Sequence, residues 1–566
     1  MTGLVIRRAL LDYARRPLNV VLLFAVPVVI VVVWSGNLAE FSKLLGGNAK
    51  PAHLEAAAAG WAAALLAGLA GYFQVFSSRD ADHRLASAGS RAGSVVAGRI
   101  GAAAALAMVA SGGALAALAV RAGISDPIRT LLSILMVALI YLALGVLVGT
   151  LVRTEMNGAL LITVVWMLDA FVGSGIGTHS TVTRIFPLHF PTLVLTGQAS
   201  GHAGPIGDLG WSLVWALALS TLAVYRLAST TRPAHTVRSG SHIALAAQGA
   251  VGSPTTPGVA EAPHVPAFSM VEPEITEPAG ESRSPLMSRH PRSRNHLVAA
   301  LRAGIVEYRR NRVLWAMLVV VPIGFLALAA SETPAKLGPV ALVDGTRQFV
   351  GMLSMKQVHA AQMAAISAAF LAGITGLFVV TGSADGDQRL VLAGFRPWEV
   401  LVGRLGVIFG ACVLTTAVAV GIAAFWLAPQ QWAVFAGATL LIALTYAMVG
   451  VLLGPMTGRL GGLYLVLLLA FIDVGYGQTV MFHAVPASWG AFLPARGASK
   501  VLLGGAFTSN FGQVGYLLLG LGWLALLTVG ATLAFGRRMG HQSKLRVPLR
   551  SRTTTPVGLS ISSNLH

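Results

Sequence analysis

Cysteine is all but missing from this 566-residue chain. The single Cys412 lies inside an apolar run, which excludes an intramolecular disulfide and leaves no Cys-based metal site. Charge is scarce too: only 11% of residues are charged, against about 25% in an average soluble domain. That excludes an ordinary soluble enzyme. Lysine is rarer than arginine, 6 to 34, a bias that fits the coding habits of a high-GC bacterium. Catalytic signatures are absent as well. There is no G-x-x-x-x-G-K-[ST] and no Gly-Lys pair, so this chain has no phosphate-cradling loop of its own. No H-E-x-x-H or nucleophile elbow occurs, and the histidines lack metal-ligand spacing. Neither a catalytic site nor a resident cofactor or metal is expected.

Apolar residues make up 55% of the chain, and mean hydropathy is +0.73. Twelve windows approach the ~20 residues needed to cross a hydrocarbon layer: 18–34, 56–76, 100–120, 131–152, 158–176, 209–226, 313–330, 359–381, 401–427, 432–453, 461–480 and 513–535. The segment MTGLVIRRALLDYARRP enters the first window directly, without a signal-peptide cleavage pattern. With the N-terminus cytoplasmic, that side carries three times as many Lys and Arg as the outside, as the positive-inside rule requires. Both termini are then expected in the cytoplasm. The net charge of +19 clusters beside the windows, which points to anionic lipid and not to nucleic acid.

Residues 229–295, with nine prolines from Pro233 to Pro291, separate two sets of six windows. Such a stretch buries too little apolar surface to offset its chain entropy, so it reads as a cytoplasmic tether, more simply a fusion linker than a regulatory segment. The expected division is 1–228, a first six-span half; 229–295, the linker; 296–540, a second six-span half; and 541–566, a cytoplasmic tail.

The halves echo each other. Asp12, Tyr13 and Arg15 match Glu307, Tyr308 and Arg310; Pro27 matches Pro322. Asp82, Arg84, Leu85, Ala88, Gly89 and Arg91 align with Asp387, Arg389, Leu390, Ala393, Gly394 and Arg396, continuing to Gly98-Arg99 and Gly403-Arg404. Six spans per half give both copies one orientation, so a pseudo-two-fold axis along the membrane normal is expected. The 82–99 and 387–404 loops read either as surface helices that dock a soluble partner, the favoured alternative, or as tight turns held by Arg and Asp. The segments before spans one and seven have the pattern of interfacial amphipathic helices.

On these residues the chain resembles the membrane permease of an ABC exporter of the ABC-2 type, in the duplicated twelve-span form of actinobacterial antibiotic and multidrug efflux systems. The likeness rests on the [DE]-Y-x-R connecting helices (Tyr13, Arg15; Tyr308, Arg310), the six-span unit and the D-x-R-L-x-x-A-G-x-R-x(6)-G-R loop. It extends to the outer segments Phe186–Gly197 and Leu493–Gly504. It implies an all-α membrane fold and docking of two separate ATP-binding subunits on Asp82, Arg84, Leu85, Arg91, Asp387, Arg389, Leu390 and Arg396. ATP and Mg²⁺ would sit on those partners, and the cargo would be a hydrophobic or amphipathic small molecule. The location implied is a bacterial cell membrane.

Asp169 and Asp473 occupy matching places in the fifth span of each half. An ionisable group at membrane depth is a functional candidate by default. The two read equally as substrate-path carboxylates, with Trp166 and Tyr476 beside them, or as structural anchors hydrogen-bonded to neighbouring helices. A proton-driven twelve-span secondary transporter is the rival class. Its G-x-x-x-D-R-x-G-R-[RK] loop is broken here at Gly382-Ser-Ala-Asp385-Gly-Asp387.

Overall fold

The computed structural model describes residues 2–15, 17–44, 51–124, 126–173, 181–197, 204–231, 312–392, 395–481 and 483–544, with isolated positions between 298 and 309. The expected linker beyond Thr231, the tail beyond Lys544, and Glu307, Tyr308 and Arg310 lie outside them.

The helices of the first segment are α1 (Thr2–Ala14), α2 (Pro17–Leu44), α3 (Pro51–Phe76), α4 (Arg79–Ser87), α5 (Ala92–Arg121), α6 (Pro127–Leu151), α7 (Glu155–Leu168), α8 (His189–Thr196) and α9 (Gly204–Thr231). Those of the second are α10 (Arg312–Glu332), α11 (Met355–Gly382), α12 (Ala384–Leu392), α13 (Pro397–Ala423), α14 (Trp432–Ala470), α15 (Arg496–Phe507) and α16 (Val514–Lys544). Among the described residues, eight helices are long and apolar enough to cross a bilayer, or nine if the pair α1–α2, bent by 86°, counts as one. They are α3, α5, α6, α9, α11, α13, α14 and α16. The other four expected windows fall on α2, on the 14-residue α7, on α10 and on the second limb of α14.

The two windows inside α14 share one helix only in name. A straight helix would hold residues 23 positions apart about 35 Å from each other, yet the Tyr446 hydroxyl donates to the Leu469 carbonyl at 3.1 Å. The chain therefore folds back. Pro455 removes a helical N–H, and Gly458 takes φ +75°, a conformation that costs a residue with a Cβ. The corresponding hairpin of α6 and α7 breaks at the extended Val152–Thr154.

α3 and α11 are the buried centres of the bundle, and small residues let their neighbours approach. A Cβ on Gly145 of α6 would run into the Gly68 carbonyl of α3, and one on Gly450 into the Gly373 carbonyl of α11. Gly145–Gly149 and Gly450–Gly454 have G-x-x-x-G spacing, the pattern that lets two membrane helices approach closely. One apolar core, including Leu23, Leu66, Tyr72, Phe370, Leu377 and Tyr446, runs through both segments. They meet where α2 and α7 pack on α10, α11 and α14. α9 and α16 turn Leu213, Leu217, Leu518 and Leu526 outward, a surface that suits lipid and not water.

The expectation of an all-α fold needs one correction. β1 (Leu337–Asp344) and β2 (Arg347–Ser354) form an antiparallel hairpin with Asp344 opposite Arg347 and Gly345 at φ +59° in the two-residue turn. Asp-Gly between β-branched runs is a hairpin signal. Its strands of eight residues each are too short to register as spans, so the segment reads as a loop between windows.

Candidate functional site

The short helices α4 and α12 follow the second long helix of each segment. Each is fastened by the same three residues. Ser78 Oγ donates to Asp82 Oδ2 at 3.0 Å, and Ser383 Oγ to Asp387 Oδ2 at 3.1 Å. Arg99, 17 positions after Asp82, donates Nε and Nη2 to Oδ1 at 3.0 and 2.9 Å. Arg404 does the same to Asp387 Oδ1 at 3.1 and 2.9 Å. Asp82 and Asp387 are buried, and the arginines nearly so. A charge pair withdrawn from water holds only when its geometry is good and its lone pairs are filled. Here the fork of an arginine and a serine hydroxyl meet both conditions.

The clasp sorts the residues expected to dock a partner. Asp82 and Asp387 point inward, into the turn. Arg84, Leu85 and Arg91 are exposed, as are Arg389 and Arg396, while Leu390 is half-buried. Each clasp thus fixes a short helix whose opposite face is open. Ser78, Arg84, Thr381 and Ala384 line a common cavity, so both clasps belong to the same end of the bundle. Tyr13 and Asp12 of α1 line it too. Tyr13 donates to the Asn19 carbonyl at 3.2 Å, and Arg15 pairs with Asp12 on the surface.

At this end the segments are also joined directly. Arg459, just past the Gly458 break, pairs with Glu155 at the start of α7 and donates to the Thr381 carbonyl at 3.1 Å. Sequence reasoning passed over this pair because neither residue recurs in kind. The positions correspond, but one carries an acid and the other a base.

Asp169 and Asp473 sit in π-helical turns, Asp169–Gly173 and Phe471–Gly477. Tyr141 donates to Asp169 Oδ2 at 2.8 Å, and the Leu188 N–H to Oδ1 at 2.9 Å. Tyr446 and the Ala495 N–H donate to Asp473 Oδ2 at 2.9 and 2.8 Å, and Gln478 Nε2 to Oδ1 at 2.9 Å. Leu188 and Ala495 precede α8 and α15, so each carboxylate satisfies an otherwise free N–H at a helix start. This geometry supports the anchor alternative: both carboxylates tie a long hairpin to an outer segment. Trp166 donates to the Trp61 carbonyl at 2.7 Å. With Tyr476 it borders a small apolar cavity of about 30 Å³ where the segments meet. That volume holds about one water.

Arg99 and Arg404 were visible as parts of a repeated motif but carried no assigned role; Tyr141 and Tyr446 carried none either. The signal for all four was recurrence at a constant offset along the chain. Among the described residues no cluster of His, Cys, Asp and Glu is arranged to hold a metal ion.

Taken together, the long apolar helices and lipid-suited outer faces define a multi-span helical membrane protein. No protein-family model matches the chain, and no curated protein matches it.

Proposed function

We propose that this chain is the membrane permease of an ATP-driven exporter, with the ATP-hydrolysing subunits on separate chains. One observation carries the reading: two identically built clasps, Ser78–Asp82–Arg99 and Ser383–Asp387–Arg404, lie at one end of the bundle and each holds a short helix with an exposed outer face. A pair of like surfaces suits a pair of like partners. The chain is then an internal duplication of a six-span unit about a pseudo-two-fold axis, with the clasps and both termini in the cytoplasm of a bacterium. ATP and Mg²⁺ bind the partners, and hydrolysis there shifts α4 and α12. The clasps pass the motion to α5 and α13 and so to the junction between the halves. The cargo on this reading is an amphipathic or hydrophobic small molecule such as an antibiotic.

The test is a double charge reversal, R84E with R389E, on the exposed faces. Membrane insertion should be intact and substrate-stimulated ATP hydrolysis strongly reduced. Undiminished stimulation would contradict the reading, and transport that collapses with the proton gradient instead would favour a secondary transporter.

A further inference from the structure

The β1–β2 hairpin stands at the far end of the bundle from the clasps, because Met355 begins α11 and Ser383 of the second clasp follows its end. Its two edges are finished differently. On β1 the Ala341 N–H donates to the Ala484 carbonyl at 2.8 Å, the Val343 carbonyl accepts from Gln513, and Pro339 has no N–H to offer. The edge of β2 has no such cover. Ala341 lies opposite Val350, and its N–H points away from β2, so this pair exchanges no ladder bonds. Val350, and at period two Gln348 and Met352, therefore turn their backbone N–H and C=O outward. These groups have no partner among the described residues. β2 also contains no lysine or proline, the residues that commonly blunt an open edge. Val350 and Met352 expose their side chains, whereas Val340 and Leu342 on the other face of the hairpin are buried.

What covers such an edge is constrained. Hydrocarbon does not, since unpaired backbone groups are costly there. Charge argues against a second copy. Arg347 starts β2 at the tip and Lys356 lies just past its base, and neither has a carboxylate partner among the described residues. Asp344, opposite Arg347, is held instead by Asn510. Antiparallel pairing of β2 with itself would bring Arg347 of each copy towards Lys356 of the other, and like charges repel. We propose that the open edge of β2 binds an extended peptide segment of another protein, acidic at its two ends and apolar at alternate positions between them. Gln348, Val350 and Met352 supply the backbone pairing, Val350 and Met352 the apolar contact, and Arg347 and Lys356 the charge. The surface goes beyond the transport reading and does not depend on it, because the edge is a property of this chain alone. With the clasps in the cytoplasm, as proposed above, the partner lies on the other side of the membrane.

The test is fluorescence anisotropy of a labelled peptide of alternating valine and threonine, ended by glutamates, titrated with the full chain in mild detergent. Saturable binding is expected, with slowed hydrogen exchange at Gln348, Val350 and Met352. V350P removes one outward N–H and should weaken binding about tenfold, the scale of one hydrogen bond. V350T keeps that N–H and should bind as the parent chain does. Thiol labelling of the buried Cys412 checks that V350P is folded, and a fully N-methylated peptide, which should not bind, removes the same bonds without touching the chain. R347E/K356E should reverse the preference, from the glutamate-ended peptide to one ended by lysines. Absence of binding, equal binding of the N-methylated peptide, or a preference unchanged in R347E/K356E would overturn the proposal. Slowed exchange at this edge without peptide, rising with chain concentration or appearing only in lipid nanodiscs, would assign it to a second copy or to the bilayer and overturn it equally.

Discussion

The two ends of the bundle differ in how closely the two segments agree. At the clasp end, Ser78, Asp82 and Arg99 are matched atom for atom by Ser383, Asp387 and Arg404. At the opposite end the carboxylate anchor and the outer helix it ties down recur, but the surroundings of the anchor diverge. The second segment adds the β1–β2 hairpin, whose tip is pinned by the Asn510 N–H donating to Asp344 Oδ1 at 2.7 Å and by Gln513 Nε2 donating to the Val343 carbonyl at 2.6 Å. It also extends the anchor through Gln478, which accepts from Arg496 at 3.3 Å. The first segment has instead His189 against the Gly173 carbonyl at 2.9 Å. On the proposed function, two like partners would require the clasp end to be held alike twice and would leave the opposite end free to diverge.

The largest expected effects lie at the clasps. R99A or R404A leaves a buried carboxylate unpaired, which costs about 3–5 kcal/mol. Because the single Cys412 is buried, its labelling by a thiol-reactive dye on heating reports unfolding directly. Both variants should label at clearly lower temperature and by similar amounts, since the clasps are alike. The double variants D82N/R99A and D387N/R404A should each recover part of the loss.

At the opposite end the effects should be unequal. D169N and D473N weaken charge-assisted hydrogen bonds worth about 1.5–3 kcal/mol each. Asp169 has two such donors and Asp473 three, so D473N should lower the same labelling temperature more. Equal losses would mean that the divergence around the anchors carries no energy.

Smaller still is the bond between the segments. Glu155–Arg459 is partly open to solvent, so E155Q should cost no more than about 1 kcal/mol, less at high salt. The swap E155R/R459E should restore most of it.

The last effect is confined to alkaline pH. Burial, together with Arg496, pushes Lys500 of the outer helix α15 down to about 8. Between that value and the unfolded lysine's higher one, the unfolded chain binds more protons, so stability from this group rises with pH. K500M should flatten the rise in labelling temperature from pH 8 upward.

The windows of apolar residues located the helices because hydrocarbon leaves the backbone few alternatives to a helix. Their ends were less legible. α9 continues to Thr231 and α16 to Lys544, past the expected limits at 228 and 540, since a helix need not stop where its apolar stretch does. The β-hairpin escaped because its eight-residue strands have no span-like length, although Asp344-Gly345 marked the turn. At the site, Asp82 and Asp387 stood out by recurrence, but their inward direction depends on Arg99 and Arg404. Those lie 17 positions on and come within reach only after the chain turns at Gly89 in the first loop. The Glu155–Arg459 pair was beyond any pattern search, because it joins unlike residues across 304 positions.

The central claim is that two like partners dock at the two clasps. The most direct measurement is to purify the chain from native membranes in mild detergent and quantify the proteins that accompany it by mass spectrometry. The account predicts a Walker-motif ATPase at two copies per chain, lost when Arg84, Leu85, Arg389 and Leu390 are replaced by alanine. A chain that purifies without such a protein, or keeps it undiminished after those replacements, would contradict the account.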